Sequence, residues 1–400
     1  MISLLISDKV HSCFDALIEN GDRVMSEASK STGRTTFRTL ALVAGLGFSL
    51  ALPAAGAVSA PAEMPEIPFT QRYAAVQHGG FVRASNSGIS CDRREDPDAE
   101  PCGAVRQGAA GVNSEFYMFY SDLDRDPNTY NSTRAELLVP AGARITYARL
   151  YWGGNLRVGE QKPPEDNGRV LIAEPGGAYK EVLADTRVGH RTADGSDAYQ
   201  ASADVTPLVR RFGAGLWTVA QVNIARGHSD VGAWGGWTLV AAYEKPDEPL
   251  RRLSLWDGFT ALRGAGGPEP EDGPDSGRTV ELTGLNVPPG APGRVGVVGY
   301  DGDRGVLGDS LTVTADSGRR LSVSDAENPF NDVMNSTITE FGRTTFRRQP
   351  EHMNNLGYDA DVFDLSPALS DGAHNLKFRF EAENQGHFLG VLFVQADARR

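Results

Sequence analysis

The stretch HNLKFRFE, residues 374–381, alternates polar and apolar side chains from Asn375 onward. Leu376, Phe378 and Phe380 fall on one side, and Asn375, Lys377, Arg379 and Glu381 on the other. A period of two places these sets on opposite faces of an extended chain, which marks a half-buried antiparallel strand. ITYARLYW (145–152) reads the same way, with Ala148, Leu150 and Trp152 set against Tyr147, Arg149 and Tyr151. GWTLVAAYE (236–244) puts Trp237, Leu239, Ala241 and Tyr243 on one face. HFLGVLFVQA (387–396) is apolar on both faces and is expected to be a central strand. No long stretch after the leader carries helical periodicity. DVTPLVRRFG and DLSPALSDG each leave room for one short helical turn. With 46 glycines and 23 prolines for turns, the chain reads as all-β.

A duplication is visible in the order of segments. YQASADVTPLV, GLWTVAQVNIA and GGWTLVAAYE follow one another in the first half. LGYDADVFDLSPAL, HNLKFRFEAEN and GHFLGVLFVQA follow in the second. Each series runs from a tyrosine and an acidic strand end through a proline turn to an alternating strand, a glycine-rich loop and an apolar strand. The expectation is two tandem antiparallel β-sandwich domains, jelly-roll-like, over 71–261 and 279–398. A proline-rich lead-in (61–70) precedes them, and a linker or long loop (262–278, LRGAGGPEPEDGPDSGR) separates them.

Residues 1–60 read as an address. Arg34 and Arg38 precede an uncharged apolar run (39–52), then the small residues Val58 and Ala60 flank Ser59. That is a secretory signal peptide, with cleavage expected after Ala60 by the general secretory route. Residues 1–24 read as a start-site extension. The other reading is a retained membrane anchor, but the run is short of the ~20 residues a span needs, and Pro53 interrupts it. Once the signal is removed, no membrane association is expected. Of three cysteines, Cys91 and Cys102 remain after the leader, and in an oxidising compartment they are expected to form a disulfide. The net charge of −13, from 39 basic and 52 acidic residues, argues against a general nucleic-acid binder.

Four segments closely resemble a family of exported proteins from high-GC Gram-positive bacteria: NSTRAELLVPAGARITYARLYWGG, YQASADVTPLV, GGWTLVAAYEKPDEPLRRLSLWDGF and NNLGYDADVFDL. The likeness runs over about 69–398. Longer relatives continue into tandem "domain of unknown function 11" repeats and a wall-sorting signal, whereas this sequence ends at QADARR. The resemblance implies the globular head of a surface protein, extracellular or at the cell surface. It brings no activity with it.

Several constellations could carry chemistry. GDSL, at 308–311, is the signature of a serine esterase family, and DGAH (371–374) would offer Asp371 and His374 to Ser310. That family's fold is α/β, with a helix after the serine. Here TVTADSGRRLSVSD follows, a strand, a turn and a strand, so Ser310 reads as a strand residue. Asp122, Asp124, Asp126 and Asn128 space side-chain oxygens as a calcium loop does. The same residues also read as a solvated acidic loop closed by Asx turns. Asp301, Asp303 and Asp309 form a second, weaker candidate for Ca²⁺. Trp234, in GAWGGW, is a candidate platform for a sugar ring, or else a residue packed at the sandwich edge. The scattered histidines match no zinc spacing. These features favour a non-catalytic surface protein that binds a surface glycan or an envelope protein. The alternatives are a glycan-active hydrolase on paired jelly rolls and a structural or filament subunit.

Overall fold

The computed structural model describes residues 62–124, 126–193, 195–264 and 277–398. The leader, its cleavage site and residues 265–276 of the expected linker lie outside them. Two series of eight strands make the main frame. The first is β1 (Ile67–Ser87), β2 (Ser132–Leu137), β3 (Arg144–Asn155), β4 (Arg169–Ala173), β5 (Lys180–Leu183), β6 (Ser196–Asp204), β7 (Gly215–Ala220) and β8 (Gly235–Glu244). The second is β9 (Leu250–Leu262), β10 (Gly277–Leu282), β11 (Gly293–Tyr300), β12 (Asp309–Ala315), β13 (Arg320–Ser322), β14 (Tyr358–Asp364), β15 (Leu376–Ala382) and β16 (His387–Asp397).

The pairings repeat one for one. In the first series the order β1-β8-β3-β6 faces β2-β7-β4-β5. In the second, β9-β16-β11-β14 faces β10-β15-β12-β13. All these pairs are antiparallel. This is the eight-stranded, two-sheet order of a jelly roll. Each roll crosses from its β6 or β14 position through the same turn. Asp204 accepts the backbone N–H of Thr206 at 2.8 Å, and Asp364 accepts that of Ser366 at 2.9 Å. Pro207 and Pro367 then open a short α-helix (Thr206–Phe212) and a 3₁₀ turn (Ser366–Leu369). Gly213, at φ 69°, ends the helix in a conformation that suits glycine.

The rolls are not strung on a linker. β1 pairs antiparallel with β9, Leu253 opposite Ala75 and Leu255 opposite Tyr73, and this fuses the two larger sheets into one of ten strands. The outermost members include Glu63–Met64, which pairs with Val188–Gly189. The expected boundaries are corrected accordingly. The second roll begins at β9, ahead of residue 262, and Gly277 and Arg278 already belong to β10. The lead-in already enters β1 at Ile67.

Three cores follow. The first packs Leu150, Trp152, Trp237 and Leu239 against Leu137, Ile172, Trp217 and Val219. The second packs Val295, Val297, Leu392 and Val394 against Leu282, Val313, Phe378 and Phe380. The third lies on the other face of the ten-stranded sheet, where the rolls meet: Phe81, Tyr151, Val240, Leu255, Val298, Tyr300, Tyr358 and Phe393. β15 keeps the expected alternation, with Leu376, Phe378 and Phe380 buried and Lys377 and Arg379 exposed. β3 and β8 do not. Both are buried on both faces, because the third core covers the side expected to meet water. β16 is buried to its last residue and sits between β9 and β11.

Candidate functional site

A groove of about 700 Å³ runs along the junction of the rolls. One wall is the first roll, with Arg83, Ala84 and Ser85 on β1, Glu136 on β2, and Leu138 just beyond. The other wall is the long connection from β13 to β14, residues 323–357, which crosses from the second roll. Its Arg348–Gln349 pair adds to the edge of β2, Arg348 opposite Ala135. Just before that pairing the connection makes a two-residue hairpin. Glu340 and Arg343 exchange backbone hydrogen bonds at 2.9 and 3.2 Å. Phe341 and Gly342 form the tip, with φ of 51° and 67°.

Two positive φ values define the tight hairpin turn that Asn-Gly serves best. Gly342 fits it. Phe341 does not, because a large L side chain in the left-handed region costs about 1–2 kcal/mol. Burial returns only part of that, since the ring is 48% exposed. Leu138 and Phe346, 50% and 54% exposed, line the same groove. Between these apolar surfaces stand planar hydrogen-bonding groups. Arg347 pairs with Glu136 at 2.8 Å, and Glu340 with Arg294 at 3.1 Å. Arg83 donates to the carbonyl of Thr339. Arg343 is exposed and makes no ion pair among the described residues.

A second polar region lies at one end of the second roll. Asp301 and Asp303 follow β11, Asp309 opens β12, Asp332 sits in the long connection, and Asp359 and Asp361 lie on β14. All six are at most 9% exposed. Asn113, reaching over from the first roll, donates its Nδ2 to Asp301 at 3.1 Å and to Asp303 at 3.3 Å. Its backbone N–H also reaches Asp303, at 3.1 Å. Asp309 accepts the N–H groups of Val333 and Met334. Burial pushes the Asp303 carboxyl up to about 7 and that of Asp332 up to about 6. Burial also raises Asp301, Asp359 and Asp361, and neighbouring carboxylates add to the effect at Asp301 and Asp359. Asp301 holds a positive φ of 66°, which asparagine and aspartate tolerate better than most residues. Beside it opens a cleft of about 410 Å³, lined by Asn113, Arg191, Asp230, Gln385 and Phe388.

The sequence candidates fare unevenly. Trp234 is corrected. It is fully buried in the third core, with its ring centroid 5.8 Å from Tyr300 and 5.4 Å from Phe388, so it offers no platform. The structure does not gather Asp122, Asp124, Asp126 and Asn128 on one point. Asp122 accepts from Ser132, Asp124 from the N–H of Asp126 and from Tyr179, and Asp126 from the N–H and amide of Asn128. This is Asx-turn geometry. Among the described residues no three His, Cys, Asp or Glu side chains already stand around one point as metal ligands do. Asp301, Asp303 and Asp309 are brought together, as walls of one small cavity. Ser310 lies in β12 and donates to Glu381 at 3.3 Å, while Asp371 pairs with Arg319 at 3.0 Å and His374 contacts Asn286. No esterase triad forms. Cys91 and Cys102 form the expected disulfide. Phe341 was missed in the sequence, although Phe-Gly at a turn where Asn-Gly is the norm was its signal.

No protein-family model matches this chain, and no curated protein matches it. Among solved structures it is similar to a peptide-N(4)-(N-acetyl-β-D-glucosaminyl) asparagine amidase, with 9% identity, 80% of this chain and 97% of that chain covered, and a TM-score of 0.21. PNGase F, a glycosylasparaginase from Flavobacterium meningosepticum, is similar at 10% identity, with 73% and 94% covered and a TM-score of 0.21. AerE from Microcystis aeruginosa is similar at 8% identity, with 70% and 97% covered and a TM-score of 0.18. At these scores the likenesses carry no argument about chemistry.

Proposed function

We propose that this is an exported, non-catalytic surface protein whose inter-roll groove binds a glycan chain of the cell envelope. The observation that carries the reading is Phe341. An aromatic ring stands half-exposed at a hairpin tip whose backbone disfavours it. Strain held at a half-exposed position, with burial returning only about 1 kcal/mol, points to a role outside the fold. A sugar ring has apolar C–H faces and a rim of hydroxyls. Phe341, Phe346 and Leu138 present flat or rounded apolar surface to the former. The guanidinium and carboxylate groups of Arg343, Arg347, Glu136 and Glu340 suit the latter, since both pair bidentately with vicinal donors and acceptors. The groove's volume lies within the range of about 300–1,000 Å³ common for ligand sites. A hydrolase would need two carboxyl groups flanking an open bond. Asp301 and Asp303 instead share one buried amide donor.

The test is co-sedimentation of the purified protein with bacterial cell walls and with insoluble polysaccharides. The reading expects saturable pelleting that weakens about tenfold in Phe346→Ala, the loss of roughly 1.4 kcal/mol of stacking and burial. Pelleting at equal strength by wild type and by the double variant Phe341→Asn/Phe346→Ala would remove the groove from consideration. Polymerisation of the purified protein without any glycan would favour the filament alternative.

A further inference from the structure

Beneath the end of the second roll is a cavity of about 10 Å³, walled by Asp301, Gly302, Asp303, Asp309, Gln385 and His387 together with Val306. That is about the room one water or one ion takes. Three carboxyl groups wall it and no Lys or Arg does. The carboxyl oxygens already act as acceptors. Asp303 takes the N–H of Asn113, and Asp309 takes those of Val333 and Met334. Backbone donors thus fix Asp303 and Asp309 in place at the cavity wall. Buried ionised carboxylates are paired or bind metal ions. Arg304, the cation whose field reaches Asp332, is already paired with Glu327 at 3.1 Å.

A second observation is independent of the acid count. His387 is 3% exposed and lines the cavity, and its Nε2 has no partner in the protein. Oδ2 of Asp359, close to Gly302, and Oδ1 of Asp332 are also buried without partners. Of these three groups His387 lines the cavity itself. A side chain there would collide as well: a Cβ on Gly302 would lie 2.1 Å from the carbonyl oxygen of Met334 and 2.8 Å from Asp359 Oδ2.

We propose that this cavity holds one hard divalent cation, calcium first among them. Oxygen donors dominate the wall, and calcium takes six to eight of them in flexible geometry. Asp303 and Asp309 are the principal ligands, with Asp301 beside them. Gln385 adds its amide oxygen once that amide turns over, and His387 Nε2 faces the same space. No three of these groups stand at ligand distance yet, so the side chains close on the ion as it enters. The ion would tie the β11–β12 connection to the start of β16, and through Asn113 to the first roll. This does not depend on the glycan reading of the groove.

The experiment is equilibrium dialysis of chelator-treated full-length protein against calcium, manganese and magnesium, with thermal melting at each concentration. One calcium ion per chain is expected, with a Tm that rises steadily with the logarithm of calcium concentration. Asp309→Asn should lower the affinity at least tenfold, and Asp124→Ala should leave it unchanged. If Asp309→Asn fails to fold, His387→Gln serves in its place, with a smaller loss of affinity expected. Manganese bound more tightly than calcium at the same residues would support the site and change only its preferred ion. Binding that survives Asp309→Asn and His387→Gln but is lost in Asp124→Ala would overturn the proposal. So would the absence of binding of any of the three ions.

Discussion

Replacing Phe341 with asparagine separates folding from binding. Asparagine adopts positive φ readily and is the favoured residue at this hairpin position, so the change should relieve about 1–2 kcal/mol of backbone strain. Against this stands lost packing. Phe341 is 48% exposed, so about half of a phenylalanine's burial is at stake, roughly 1 kcal/mol. The two terms offset, and the variant should match wild type in stability within about 1 kcal/mol, a Tm shift of no more than ~3 °C. Binding has no such offset. The ring's exposed half is what a ligand would cover, worth about 1 kcal/mol of burial plus ~0.5–1.5 kcal/mol of stacking. That is an association weaker by about 10- to 60-fold. Phe341→Ala sharpens the comparison, because it removes the ring and retains the strain, so it should melt below Phe341→Asn. Thermal melting and a pelleting isotherm on the three proteins decide the matter. A fall in Tm of ten degrees or more in Phe341→Asn would show that the ring serves the fold, and the reasoning from strain would fail. Unchanged pelleting would refute the binding role.

Other consequences can be checked on the same protein. Gly342→Ala should be destabilised by about 1–2 kcal/mol and should bind glycan less well, since φ is 67° and a Cβ there would lie 2.8 Å from the backbone nitrogen of Ala326. Thermal melting with pelleting reads both. Cys91→Ser/Cys102→Ser should lose about 2–3 kcal/mol in denaturant unfolding, the value of closing so short a loop. His190 is held between Glu63 and Asp197, each at 2.7 Å. Burial by itself lowers its pKa, but the two carboxylate bonds outweigh burial and leave it above 6.5. The charged form is thus favoured in the fold. Its stabilisation is complete below 6.5 and fades as pH rises through the folded value. His190→Asn should therefore lower the Tm more at pH 5.5 than at pH 9, and equal losses at both would contradict the assignment.

The duplication was legible because its carriers are local. Asp204–Pro207 and Asp364–Pro367 build the same turn, and the strands after them occupy the same places in both rolls. The alternation at 376–381 was legible for the same reason, since period two needs no knowledge of the partner strand. What could not be read was the seam. β1, as IPFTQRYAAVQHGGFVRASNS, carries no clean alternation, because it bends across two rolls and changes neighbours along its length. Without it, β3 and β8 had no second core to bury their other faces. Trp234 failed for that reason too, since the glycines around it suggested an exposed loop while Tyr300 and Phe388 came from the other roll to cover it. The grouping of Asp301, Asp303 and Asp309 was visible as spacing. Asn113, Asp332, Asp359 and His387 were not, because only the fold brings them there. In the 122–128 loop the same acidic spacing is consumed by turn hydrogen bonds, so spacing alone could not rank the two.

Hydrogen exchange on the protein, free and saturated with soluble fragments of the polysaccharide that pellets it, tests the central claim most directly. The account predicts slowed exchange confined to the groove, at the β2 end near Leu138 and along residues 340–347. Protection instead around 261–264 and 384–388, at the cleft beside Asp301, with residues 340–347 unchanged, would contradict it.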